Sequence, residues 1–246
     1  MHISIGQYLA VAAIVAVGAF CQGTIGFGLN LIAAPIVGLV APELLPATMV
    51  MVGTPLSISM ALRGRSSIDW HGVGWSSLGR VPGTVAGVIV VSMVSVRALG
   101  GIVGGLVIVA CVVASVHRRV SGREHSVNRG NAIGAGVASG FMDTAAATGG
   151  PPLALLYQHR PAAEVRSTLA TSFALGTMLS ITGLVIGGSV EAWQLLVALM
   201  LAPSLVIGLV ASRLLATRLA GASLRPAILV FAALAGAAAL TRALIG

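Results

Sequence analysis

Of 246 residues, 57% are hydrophobic and only 8% are charged, where a soluble domain carries about 25% charged residues. That composition, with a mean hydropathy of +1.02, excludes a water-soluble globular protein and leaves a polytopic membrane protein. The net charge of +8 comes from 14 basic residues, all arginine, against 6 acidic ones; the arginines lie between apolar runs, which reads as membrane orientation and not as a nucleic-acid surface.

In chain order, the first apolar run covers 4–40 and is interrupted by Gln22-Gly23-Thr24-Ile25-Gly26-Phe27-Gly28. It lacks a basic leader and a small-residue cleavage signal, so it reads as a retained segment. Runs at 47–62, 73–95 and 99–116 follow. A polar stretch from His117 to Arg129 separates two halves, giving a first repeat at 1–117, a cytoplasmic linker at 118–130 and a second repeat at 131–246. The second half opens with 131–157, interrupted by Asp143 and by Thr148-Gly149-Gly150-Pro151-Pro152, and continues with 167–188, 192–211 and 226–245. At about 20 residues per crossing, this predicts an all-α protein with about eight transmembrane segments, the first of each half broken or U-shaped.

The halves resemble each other. Each begins with a Gly-rich broken run containing Pro35 or Pro151; Ser67-Ile68-Asp69 matches Ser189-Val190-Glu191, Pro82 and Gly87 match Pro203 and Gly208, and Arg97-Ala98-Leu99 roughly matches Arg225-Pro226-Ala227. If each broken run crossed the membrane once, arginines would fall almost equally on both sides. If each folds back as a U, the loops near 63–72, 117–130, 158–166 and 212–225 share a side and collect eleven of the 14 arginines. The positive-inside bias favours the U, which puts both termini outside the cytoplasm and makes the repeats inverted. Irregular backbone at membrane depth is tolerated only inside protein or against a water-filled cavity. Paired breaks in corresponding halves therefore point to a transporter binding site.

In the first break, Thr24, Gly26, Gly28 and Asn30 are the candidate anion-binding residues. Glycine admits close backbone approach, the restarting helix offers free N–H groups, and Thr24 and Asn30 can add hydrogen bonds. Tight helix packing is the competing reading. In the second, Thr148, Gly149 and Gly150 are the candidates, with Pro151 and Pro152 able to open a helix. Asp143 is the one acidic residue deep in an apolar run. It reads as a proton-coupling or cation-binding group, or as a cap or an ion pair with an arginine such as Arg80. Arg80 either lines an anion path or, as the expected outcome, snorkels to the cytoplasmic interface. Arg166 reads as a positive-inside anchor, with an anion gate as the alternative. Trp70, Trp75 and Trp193 read as interfacial belt residues, and Met49, Met51 and Met60 as packing. Neither the scattered histidines nor Cys21 and Cys111 have metal-ligand spacing, so no cofactor or metal is expected. No Gly-rich loop followed by Lys and Ser/Thr occurs, which argues against ATP as the energy source.

Five features resemble the sulfite exporter TauE/SafE family, also called the toluene-sulfonate uptake permease family. They are Gly26-Phe27-Gly28 followed by Pro35; Ile68-Asp69-Trp70; Pro82-Gly83 with Gly87; Thr148-Gly149-Gly150-Pro151-Pro152; and Arg166-Ser167-Thr168-Leu169. The resemblance implies a multi-pass permease of the bacterial inner membrane for sulfite, sulfonates or related anions. The expected function is secondary active transport of a small anion, with protons as the candidate coupling ion, and no enzyme activity. Expected partners are the anion and the bilayer, with a homodimer allowed and nucleic acid excluded. A passive anion channel and a non-transporting scaffold subunit are the alternatives.

Overall fold

A computed structural model of the chain describes residues 3–120, 127–219 and 224–245. Residues 121–126 of the expected linker, Arg123 among them, lie outside the described residues. The described residues form eleven α-helices and no strand: α1 (Ile5–Ile25), α2 (Leu29–Val40), α3 (Ala47–Arg63), α4 (Trp70–Met93), α5 (Val96–Val120), α6 (Arg129–Ala146), α7 (Gly150–Leu156), α8 (Ala162–Ile186), α9 (Ala192–Met200), α10 (Ala202–Leu219) and α11 (Leu224–Ile245).

Local chemistry sets the helix starts. Ser4 opens α1 with a capping box to Gln7, Asp69 accepts from the Gly72 amide at the start of α4, Asn128 caps α6 and Glu191 caps α9. Each supplies an acceptor for amides that have no partner within the helix. By length and composition, four stretches are apolar enough to cross a membrane: Ile5–Ile25, Trp70–Met93, Ala162–Ile186 and Ala192–Leu215. Leu29–Val40, Ala98–Val112 and Val230–Ile245 are shorter apolar helices. The apolar and polar residues are distributed as a lipid-facing protein requires. Leu78, Val81, Val85 and Ile89 form an exposed stripe along α4, while Ser139, Asp143, Thr144, Thr148 and Ser180 are buried. In water that exposed stripe would be costly; against acyl chains it is not.

The helices pair closely. α4 lies along α6, α1 along α10, α3 along α8 and α5 along α11. The α4–α6 contact is backbone to backbone. A Cβ at Gly83 would overlap the Val137 carbonyl, and one at Gly136 the Ser76 carbonyl, so a larger residue at either position would force these helices apart.

Hydrogen bonds tie the two ends of the bundle. At one end, Gln7 Nε2 donates to the Val40 carbonyl at 2.7 Å, so α2 finishes beside the start of α1. Tyr8 donates to Met200 O at 2.8 Å, Gln194 to Glu43 O at 2.8 Å, and Arg242 to Leu39 O. At the other end, Asp69 N–H donates to Thr168 Oγ1 at 3.0 Å, Ser167 Oγ lies 2.9 Å from Ser67 O, and the Tyr157 hydroxyl donates to Asp69 Oδ2 at 2.8 Å. Tyr157→Phe is expected to cost about 1.5–3 kcal/mol, because the lost bond has a charged acceptor; a drop in thermal midpoint of the solubilised protein checks this.

The segment boundaries depart from the sequence reading at two points. Asp143, read as an interruption of the run 131–157, lies inside an 18-residue α6, and the break falls after it, before a 7-residue α7. Gly134, Gly136 and Gly140 sit inside α6, where the last two serve close packing and do not break the helix. The run at 192–211 is split at Leu201, and Pro203 follows in the first turn of α10, where its missing N–H costs nothing.

Candidate functional site

The two broken runs stop being helical between α1 and α2 and between α6 and α7, and residues of both breaks line one cavity. At the first, Gly26 (φ 103°) and Gly28 (φ 125°) take left-handed conformations that an L side chain resists, and they reverse the chain from α1 into α2. At the second, Ala147 closes α6 with φ 55°. Its N–H donates to Asp143 O, and the Thr148 N–H donates to Met142 O, satisfying the last carbonyls of the helix. α7 then begins with Gly150-Pro151-Pro152, and of these only Gly150 has an N–H to offer.

The cavity has a volume of about 40 Å³. At about 10–15 Å³ per water position, it holds about three waters or one small oxyanion. Phe27, Gly28 and Asn30 from the first break line it, with Asp143, Thr148, Gly149 and Gly150 from the second. Of the sequence candidates, Gly28, Asn30, Asp143, Thr148, Gly149 and Gly150 therefore meet here. Thr24 and Gly26 do not line the cavity. The Thr24 hydroxyl donates back to Phe20 O at 2.9 Å, and Gly26 packs against Arg166.

Two polar atoms on this wall have no partner within the protein. Thr148 is 2% exposed, and its Oγ1 makes no hydrogen bond; neither does Asn30 Oδ1, although Asn30 Nδ2 donates to Met49 O at 3.1 Å. Buried polar atoms are normally satisfied, so two orphans on one cavity call for an occupant.

Asp143 on this wall is half of a charge pair whose other member, Arg80, is not in the lining. Arg80 Nη2 lies 3.6 Å from Asp143 Oδ2, and Ser180 Oγ lies 3.3 Å from the same oxygen. Arg80 also donates to Ser172 O at 2.5 Å and to Ser139 Oγ at 2.8 Å, and its guanidinium stands 5.8 Å from the Phe173 ring centroid. The expectation that Arg80 snorkels to the interface is overturned: it is 1% exposed. Its acceptors on α6 and α8 draw the guanidinium inward, where the charge is paired and not hydrated. A Cβ at Gly176 would overlap that guanidinium. Gly176→Ala is accordingly expected to cost about 3 kcal/mol, at the upper end for overpacking, and to abolish transport; solubilised yield and flux check it.

Sequence reasoning missed Gln22, Ser57, Phe173 and Thr177 on the cavity wall. Gln22 accepts from the Leu29 N–H at 3.2 Å and donates to Ser57 Oγ at 3.4 Å, holding the first turn of α2 in place. Its position at the head of the first interruption was the available signal. Arg166 stands apart from the cavity, exposed at the arginine-rich end.

A search of curated proteins returns no match, and neither does a search of solved structures. The family comparison does match, over residues 10–239. An all-helical fold with apolar helices long enough to cross a membrane agrees with that match across nearly the whole chain, and the protein belongs to the sulfite exporter TauE/SafE family.

Proposed function

We propose that the protein is a proton-coupled secondary carrier for a small oxyanion of the sulfite type, in the bacterial inner membrane. The observation that carries the reading is the cavity shared by both helix breaks, with the unpartnered Thr148 hydroxyl and the Asp143 carboxylate on its wall. Thr148 and the first turn of α2 would donate to the anion. Asn30 Oδ1 and Asp143 are acceptors, which suits an anion that carries or arrives with a proton better than a bare dianion. A volume of about 40 Å³ also suits an ion of a few atoms better than an aromatic sulfonate.

Coupling follows from charge. An anion beside an ionised Asp143 meets a like charge, worth about 4 kcal/mol at 4 Å in an effective dielectric of 20. If Asp143 takes a proton, the repulsion disappears and Arg80 becomes the counter-ion of the anion. Anion and proton then bind together and favour one another. Arg80 would act on the anion from behind Gly149 and not as part of the path lining.

Two inverted repeats are part of the same reading, with α1–α2 and α6–α7 as the paired U segments. Several contacts support it. α1 lies on α10 as α6 lies on α4, while α3 meets α8 and α5 meets α11. Gly104 and Gly236 each face the other's carbonyl. Asp69 and Glu191, at matching places in the halves, both cap helices. The arginine-rich end would face the cytoplasm, with both termini opposite, and alternating access would rock one repeat against the other.

Uptake into proteoliposomes tests the function, using sulfite, sulfate, thiosulfate, a sulfonate and a small carboxylate, each with and without a pH gradient. Accumulation of sulfite above equilibrium only with the acid side outside is the expected result. Gradient-independent equilibration would replace the carrier with a channel, and no flux of any anion would favour a scaffold.

A further inference from the structure

A second cavity, of about 340 Å³, opens at the arginine-rich end. Arg63 from the end of α3, Arg166 from the start of α8 and Arg213 from α10 line it, with Ser67, Ser167 and Ser212 between them. No carboxylate is in the lining. Among the described residues the ion pairs are Arg80–Asp143 and Arg160–Glu164, so no acidic side chain balances these three. The positive-inside bias requires arginines on one side of the membrane, but it does not require three of them to face one concavity. Guanidinium groups around a hollow without counter-charge are matched to an oxyanion, whose oxygens take their paired N–H donors two at a time. The start of the 25-residue α8, with Ala163 in the wall, adds the positive end of a helix dipole.

The cavity also adjoins the first helix break. Gly23 lines it, and a Cβ at Gly26 would stand 2.8 Å from Arg166 Cγ. Gln22 and Phe27, beside those glycines in the chain, line the central cavity. The end of α1 and the turn into α2 therefore border both spaces.

We propose that Arg63, Arg166 and Arg213 form a second oxyanion site, distinct from the central cavity. It takes a tetrahedral oxyanion group, either a free sulfate-like ion or the phosphate of an acidic lipid headgroup. The proposal does not rest on the transport reading; the site stands whether or not the central cavity carries a substrate.

Arginine modification tests it on the full wild-type chain. The protein, in nanodiscs of zwitterionic lipid, is treated with phenylglyoxal, and labelling of each arginine is followed by mass spectrometry. Sulfate is expected to slow labelling of Arg63, Arg166 and Arg213 several-fold relative to chloride at equal ionic strength. The exposed Arg65 and Arg129 should not change. Slowing that appears only when an anionic lipid is included assigns the site to a headgroup. Equal rates in every arm, or slowing shared by Arg65 and Arg129, would overturn the proposal.

Discussion

Asp143→Asn is expected to abolish accumulation driven by a pH gradient and to leave flux that carries net charge. The amide keeps the size and hydrogen-bonding reach of the carboxylate but can neither ionise nor carry the proton. On the proposed coupling, an incoming monoanion and a proton would move as a neutral pair while the carboxylate is present. With the amide, the anion alone balances Arg80, so the proton is no longer required. The wild type should transport faster toward acid pH on the side of uptake, and the variant should show no such dependence. The variant has a second signature. Removing the acid leaves the Arg80 charge, 1% exposed, with Ser172 O and Ser139 Oγ as hydrogen-bond partners and the Phe173 ring beside it. Breaking one half of a buried pair costs about 3–5 kcal/mol. An anion in the cavity would offset part of that cost, so the thermal midpoint of the variant should rise with anion concentration more steeply than that of the wild type. Unchanged pH dependence in the variant would remove Asp143 from coupling.

The second large effect belongs to Arg80. Arg80→Gln leaves the Asp143 carboxylate buried opposite a neutral amide, again at a cost of about 3–5 kcal/mol. The single variant should therefore give a lower folded yield than the wild type. Arg80→Gln combined with Asp143→Asn removes both charges and keeps polar groups near Ser139, Ser172 and Ser180. Folded yield should recover in the double variant, because no unpaired charge remains. Transport should not, because nothing cationic then stands behind the anion. Size-exclusion yield and sulfite flux, measured on the same preparations, separate the two. Recovery of sulfite flux together with folding would show that Arg80 is structural only.

What could be read from the chain was local. Thr148-Gly149-Gly150-Pro151-Pro152 and Gly26-Phe27-Gly28 mark their breaks because glycine and proline act on their own backbone, and the structure places both beside one cavity. Asp143 stood out because a carboxylate in an apolar run is expensive wherever it points. The fate of Arg80 was not local. Its partners Ser139 and Ser172 lie 59 and 92 residues away, and the space for its guanidinium exists because residue 176 is glycine. Thr177 and Phe173 were hidden for the same reason: they sit in the uninterrupted helix α8, and only the packing of α8 against α3, α4 and α6 brings them to the cavity. Within α6, Gly136 and Gly140 are contact points for α4, whereas Gly149 lies in the break that follows. The periodicity of an apolar run does not distinguish those uses, because both replace a side chain with space.

The central claim is that the cavity joining the two helix breaks holds the transported anion. Selenite, a heavier analogue of sulfite, allows that ion to be located by anomalous scattering in crystals of the protein. An anomalous peak within hydrogen-bond distance of Thr148 Oγ1, beside the first turn of α2, is the predicted result. A selenite-bound crystal with no peak there, or with peaks only among Arg63, Arg166 and Arg213, would contradict it.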